Sequence, residues 1–229
     1  MKKVFLIFFT ACFLCFSSAT EAKHYSSNQI ERFVNKTPRD IENNIPKLVS
    51  YLTKPFDNDY DKAKAISFWI ASRISYDEYL YNNGGATRLR STYFGQKPKE
   101  LLQSRVGICG DFAELFKEMC NRAGIRAYNI RGYAYPSNVR LTSSQKRNTG
   151  HVWNYFIFNN KKIYVDTTFM AEGRTGVKGS GSSMNRNRAL RKIKNSNKYK
   201  AEITSFDNFY FDFDYAREKQ IKKYKREER

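Results

Sequence analysis

Between residues 110 and 124 the apolar positions follow a helical period. Phe112, Leu115, Phe116, Met119, Cys120 and Ala123 recur at three- and four-residue steps, which puts them on one buried stripe of a helix. Gly124 then supplies a residue able to take the left-handed backbone at which helices commonly end. Upstream, Ile41, Ile45, Leu48 and Leu52 predict a helix over 38–52, and Ile66, Trp69, Ile70 and Ile74 predict another from Asp59 to about residue 76. Pro98 fits the first turn of a short helix through Leu101 and Leu102 that stops by Gly107. Downstream, residues 125–135 read as a strand. Residues 151–158 and 163–166 flank Asn159-Asn160-Lys161-Lys162 as a hairpin. The polar stretch 136–150 is a loop of lid-like length, and Gly84-Gly85 marks another.

The ends of the chain read differently. Met1-Lys2-Lys3 is basic, residues 4–16 are almost wholly apolar, and small residues follow at 17–22. That is the layout of a secretory signal peptide, so residues 1–22 are set aside and a secreted or periplasmic protein is expected. Residues 23–37 are polar and read as an arm, giving an arm-and-helix segment over 23–58 before a core over 59–171. Residues 172–200 are rich in Gly, Ser, Asn, Lys and Arg and read as a basic flexible segment. Residues 201–229 carry an aromatic cluster (Phe206, Phe209, Tyr210, Phe211, Phe213, Tyr215) and then a charged helix. No internal repeat is visible.

Composition narrows the classes. The 229 residues include 41 Lys+Arg against 22 Asp+Glu, a formal net charge of +19. At 41 % hydrophobic and 16 % aromatic residues the chain can build a core, which excludes wholesale disorder. No apolar run in the body approaches the roughly 20 residues of a membrane-spanning helix. The positive charge suits an anionic surface, engaged through residues 172–200. That segment has a single aromatic residue, Tyr199, so it offers no stacking platform for nucleic acid.

Two of the four cysteines, Cys12 and Cys15, fall in the leader. Cys109 and Cys120 remain, with His24 and His151. Along one helix the two sulfurs would sit roughly 16 Å apart, whereas a disulfide needs Cα atoms within about 7 Å. Two free thiols are expected, with too few ligands for a zinc cage and no cofactor. Cys120 lies within the apolar stripe and reads as a small core hydrophobe. Cys109, in Gly107-Ile108-Cys109-Gly110, immediately precedes the striped helix. Unpaired N–H groups and the positive dipole end there favour a thiolate, and the flanking glycines allow a substrate backbone to approach. A nucleophilic thiol needs a base. His24 lies in the arm, so His151 is the candidate. With Asn159 and Asn160 as turn residues, His151 faces Thr168 and Asp166 lies diagonally, about 7–8 Å away at the backbone. That suits a carboxylate holding an imidazole N–H.

Gly107-x-Cys109-x-x-x-Ala113, Ala123-Gly124-Ile125-x-Ala127, Gly132, His151-x-Trp153 and Asp166-Thr167 together resemble the transglutaminase-like superfamily of papain-fold cysteine enzymes. Upstream, Lys64-Ala65-Ile66-x-x-Trp69-Ile70 to Ile74-Ser75-Tyr76-Asp77 is similar to the helix before the family core, so the resemblance covers about residues 60–170. It implies an α+β papain-like core, with N-terminal helices and the Cys109 helix packed on an antiparallel sheet. It further implies Cys109 as nucleophile, His151 as general base and then acid, Asp166 as orienter, Tyr76 at the oxyanion and Trp153 walling the site. Gln103 stands in the register of the papain oxyanion glutamine. Many members have Asp-Pro where this chain has Asp166-Thr167, and the 136–150 loop looks like an insertion. The implied chemistry is acyl transfer from an amide to water or to an amine. Hydrolysis of peptide or protein substrates, including those of the cell envelope, is the favoured expectation. The alternative is a catalytically silent fold serving as a basic binding module at the envelope. Oligomeric state is left open.

If residues 172–200 dock on an anionic surface, deleting them should weaken sedimentation with anionic vesicles. The intact protein's binding should fade as salt shortens the Debye length from about 10 Å at 0.1 M to about 3 Å at 1 M. Binding indifferent to salt would assign it instead to the aromatic cluster.

Overall fold

A computed structural model describes residues 25–77, 96–136, 142, 150–171, 211–212 and 222–226. The leader, His24, Gly84-Gly85, nearly all of the 136–150 loop and the basic segment 172–200 lie outside the described residues. So do Phe206, Phe209, Tyr210, Phe213 and Tyr215 of the aromatic cluster.

The expected N-terminal arm is in fact a helix, α1 (Ser27–Asn35). Ser26 caps it, with its side chain accepting from the Gln29 N–H while Gln29 reaches back to the Ser26 N–H. Ile30 and Val34, four residues apart, are fully buried, and Phe33 stacks on Tyr51 at 5.0 Å. Tertiary burial thus secures a helix too short and polar to stand alone. The single helix expected over 38–52 is divided. A 3-10 turn (Arg39–Ile41) precedes α2 (Ile45–Thr53), which Asn44 caps and Pro46 enters in its first turn. Pro has no N–H to donate to a preceding turn, so the break falls there.

The long helix α3 (Asp59–Arg73) starts at the Asn58 cap and runs through the middle of the molecule, with Ile66, Phe68, Trp69 and Ile70 fully buried. It leads into β1 (Ser75–Tyr76). The helix α4 (Pro98–Ser104) leads into β2 (Val106–Gly107), and the two short strands pair in parallel, Tyr76 opposite Gly107. Next comes α5 (Cys109–Arg122), the striped helix, ending as expected before Gly124 at φ 81°.

Three strands follow, β3 (Ala127–Pro136), β4 (Gly150–Phe158) and β5 (Lys161–Val165), then a short helix α6 (Thr167–Met170) and β6 (Lys222–Arg226). They form one antiparallel sheet in the order β5-β4-β3-β6. The hairpin register is the one the sequence implies. Asn159 and Asn160 both take positive φ (48° and 60°), the requirement of a two-residue turn matched to strand twist, and Asn154 pairs with Val165. The expected charged C-terminal helix differs where it is described: Lys222–Arg226 is a strand along β3. The four strands alternate faces, so Val152, Phe156 and Val165 turn to the helices. Tyr128, Tyr155 and Tyr164 line the other face in one cross-strand row, the first pair of rings stacked at 4.9 Å.

Phe211 joins the edge of β5 through a bridge to Val165, and the Asp212 N–H donates to the Tyr164 carbonyl at 2.9 Å. Its ring is 5 % exposed and packs against Tyr60, Phe68 and Phe156. Tyr60 donates its hydroxyl to Asp212 at 2.8 Å. Phe211→Ala should therefore destabilise the protein by about 3 kcal/mol, read as a lower urea midpoint. An unchanged midpoint would mean that the segment merely lies on a finished core.

Candidate active site

Cys109 is the first residue of α5, where the leading N–H groups lack intrahelical acceptors. Three features fix this end of the helix. The Asp111 carboxylate, 1 % exposed, accepts from the Ile108 N–H at 3.0 Å through Oδ2 and from the Gln96 N–H at 2.8 Å through Oδ1. Gly107 has no room for a side chain, since a Cβ there would lie 2.6 Å from Leu101 and 2.9 Å from the Asp111 carboxylate. The β1–β2 bridge holds the preceding backbone, with the Asp77 N–H donating to the Gly107 carbonyl at 2.8 Å. Asp111 escaped the sequence reading. An acidic residue in a first helical turn, three positions after the cap, is the signal that could have found it.

The thiol is less open than expected. Cys109 is only 6 % exposed because Tyr76, Ala113 and Val152 pack around it, against 0 % for Cys120 in the main core. Both cysteines are free. Burial, with a smaller contribution from Asp59, pushes the Cys120 thiol well above the ordinary range, in keeping with a core residue.

His151, near the start of β4, meets Asp166 directly, Nε2 to Oδ2, at 2.7 Å. Asp166 is fully buried and its other oxygen caps α6, accepting from the Thr168 and Phe169 N–H groups at 3.1 and 3.0 Å. One carboxylate therefore both starts a helix and orients a ring. With Nε2 engaged by Asp166, Nδ1 is the ring nitrogen left to interact with Cys109, the other group that acts on the imidazole. Burial alone would lower the imidazole, but the Asp166 charge and hydrogen bond, and then the contact with Cys109, push it up to about 10. The ring lies nearly parallel to two others, Phe169 at 4.5 Å and 17° and Trp153 at 5.9 Å and 18°.

The structure thus brings together Cys109, His151, Asp166, Tyr76 and Trp153. Gln103 is exposed on the short helix α4, as an ordinary solvent-facing glutamine would be. Phe169 was not foreseen. Its signal was Asp166 as a helix cap, whose carboxylate accepts from the N–H three residues on and so ties Phe169 to the same corner as His151. Among the described residues no cluster of His, Cys, Asp and Glu could hold a metal ion.

The family model for the transglutaminase-like superfamily matches residues 46–167. The chain belongs to this superfamily. The match starts within α2, earlier than the expected core boundary at 59, and ends one residue after Asp166. Curated relatives include the kyphoscoliosis peptidases of Mus musculus and Homo sapiens, each 26 % identical over 129 and 125 residues, or 56 % and 55 % of this chain. The chain spans 18 % of the length of those proteins. Among solved structures, a candidate cysteine protease from Cytophaga hutchinsonii is 23 % identical with a TM-score of 0.41, covering 61 % of this chain and 42 % of that one. A transglutaminase structure is 16 % identical with a TM-score of 0.43, covering 86 % and 41 %.

A raised imidazole links to stability with a definite sign. Protonation of His151 favours the folded form fully below the ordinary value of about 6.5 and ceases to do so as the pH climbs through about 10. Asp166→Asn keeps an acceptor but removes the charge. Its ring should titrate lower than the wild-type ring in an NMR pH series, and stability near pH 8–9 should fall. A ring still titrating near 10 would show that something other than Asp166 holds the proton.

Proposed function

We propose that the protein is a cysteine enzyme that transfers acyl groups from amide bonds, most readily to water. The observation that supports this reading is the 2.7 Å bond between His151 and a fully buried Asp166, with Cys109 interacting with the same imidazole from the N-terminus of a helix. The Cys109 sulfur attacks the carbonyl carbon of a peptide bond. His151, carrying the thiol proton, passes it to the nitrogen as the C–N bond breaks and the amine leaves. The thioester is then attacked by water or by a second amine. His151 takes the proton from that nucleophile and returns it to the departing sulfur. Asp166 keeps Nε2 occupied, so Nδ1 faces the reaction throughout. Negative charge developing on the carbonyl oxygen would fall near the first N–H groups of α5 and Tyr76, and one well-placed donor of this kind is worth about 3 kcal/mol. Trp153 and Phe169 restrict rotation of the imidazole. Gln103, exposed on α4, has no part in this reading.

Water is favoured as acceptor over an amine, and the substrate as a peptide or protein, in line with a chain whose leader sequence suggests export. The competing reading, an inert fold used as a binding module, requires none of the buried polar geometry around His151.

Iodoacetamide labelling followed by peptide mapping separates the two. Near pH 7 Cys109 should react at least about tenfold faster than Cys120, which lies in the core with its neutral thiol favoured. His151→Ala should slow Cys109 at pH 6–7, with the deficit shrinking above pH 9 where a thiol ionises unaided. Equal reactivity of the two thiols, or labelling indifferent to His151, would leave the binding module as the better reading.

A further inference from the structure

We propose that Asn154 is a positioning residue that sets the register of the cysteine helix against the histidine strand, so that the Cys109 sulfur meets the His151 imidazole. The inference rests on the acyl-transfer reading above and names a residue of that site which acts through others. Asn154 lies three residues after His151 on β4 and is 0 % exposed. Its Nδ2 donates to the Ala113 carbonyl at 3.0 Å and to Asn129 Oδ1 at 2.9 Å. Ala113 stands four residues after Cys109, about one turn along α5. A backbone carbonyl has two lone pairs, so one remains for such a bond inside a helix.

The attachment has a second leg. Asn129 is the cross-strand partner of Asn154 in β3, and its own amide donates to the Glu114 carboxylate at 2.7 Å. Two consecutive residues of α5, Ala113 through its backbone and Glu114 through its side chain, are therefore tied to two facing residues of the sheet. One tie limits sliding, and two limit rotation about the helix axis as well. The apolar contacts beside them do not have this property. Cys109, Ala113 and Val152 pack together, but hydrophobic packing is non-directional, whereas a hydrogen bond weakens steeply with angle. The place is also a costly one for an amide. Asn154 Oδ1 is buried with no hydrogen-bond partner among the described residues, so an apolar side chain of similar size would suit the burial better. Fixing register is the best-attested use of a buried polar group of this kind. The titratable groups about the thiol and imidazole are Tyr76 in β1, Asp77 just after it, Asp111 in α5 and Asp166 before α6. Glu114 and Lys117 pair with each other further along the helix. A neutral replacement of Asn154 alters none of these, so a changed pH dependence at Cys109 reports a changed meeting with His151.

The test uses the full chain and reads the iodoacetamide rate at Cys109 from pH 5.5 to 10 by peptide mapping. Wild type, Asn154→Leu, His151→Ala and the double variant are compared, with a melting temperature for each. Asn154→Leu should slow Cys109 about five- to tenfold at pH 6–7, and the deficit should vanish above pH 9, where a thiol ionises unaided. In the His151→Ala background the same substitution should change the rate by less than about twofold, because its effect runs through the imidazole. Asn129→Ala, at a half-buried position, should slow Cys109 about two- to threefold at pH 6–7. A folded Asn154→Leu with the wild-type pH profile would overturn this inference and leave the acyl-transfer reading intact. So would a slowing that is equal at every pH or persists in full without His151, the mark of a merely structural role. Should Asn154→Leu fail to fold, Asn129→Ala decides, and an unchanged profile there overturns the inference. Labelling of Cys109 indifferent to His151→Ala at pH 6–7 would instead remove the acyl-transfer reading, and this inference with it.

Discussion

The 2.7 Å contact between His151 and Asp166 is the constraint on which the site depends. A fully buried carboxylate is costly unless its oxygens are bonded, and here each oxygen has a distinct duty. Oδ2 faces the imidazole, and Oδ1 accepts two N–H groups from the opening turn of α6. Because the strand ends at Val165 and the helix starts at Thr167, Asp166 sits at a corner that neither element can move alone. The same corner delivers Phe169 to the imidazole at 4.5 Å. The ring's orientation is thus set by a carboxylate at one end and by aromatic surface along its plane.

Placement of the sulfur follows from a separate and more local knot. A helix N-terminus can present a side chain only as accurately as its first residue is held, and the backbone before Cys109 would otherwise be a free turn. Pairing of Tyr76 with Gly107 fixes it from one side. Asp111 fixes it from the other and joins it to Gln96. Gly107 is required between them because any Cβ would collide with Leu101 and with the Asp111 carboxylate. Only then does α5, packed by Phe112, Leu115, Phe116 and Met119 in the core, carry a sulfur aimed at the start of β4.

What could be read from the sequence divides along physical lines. The striped helix, the long helix after Asp59 and the hairpin about Asn159-Asn160 were legible because each has its own periodicity or turn chemistry. The hairpin register placed Asp166 beside His151 because side chains alternate strictly along strands. The helix α1 was missed although Ser26-x-x-Gln29 and the Ile30/Val34 pair were in plain view. A nine-residue polar helix has weak intrinsic stability and is held by contacts made far along the chain. The two-residue strands β1 and β2 have no period to read, and their pairing joins residues 31 apart, Ser75 with Val106 and Tyr76 with Gly107. The strand nature of Lys222–Arg226 is a tertiary choice too. Its alternating Lys, Tyr and Arg suit a solvated helix as well as an edge strand, and the open side of β3 decides.

That last choice bears on where the functional unit ends. The family match stops at residue 167, yet the N–H groups that hold Asp166 belong to Thr168 and Phe169. The core under the sheet is finished by Phe211, and the side of β3 left open by β4 is paired by β6. An unpaired strand edge invites association with other chains, and lysines on an edge strand discourage it. Lys222, Lys223, Lys225 and Arg226 make the outermost strand a basic one, a composition that discourages further pairing along it. The residues beyond the family match complete the fold at one edge of the sheet through Phe211 and pair its opposite edge through β6, so the structural unit extends past the boundary that sequence similarity draws.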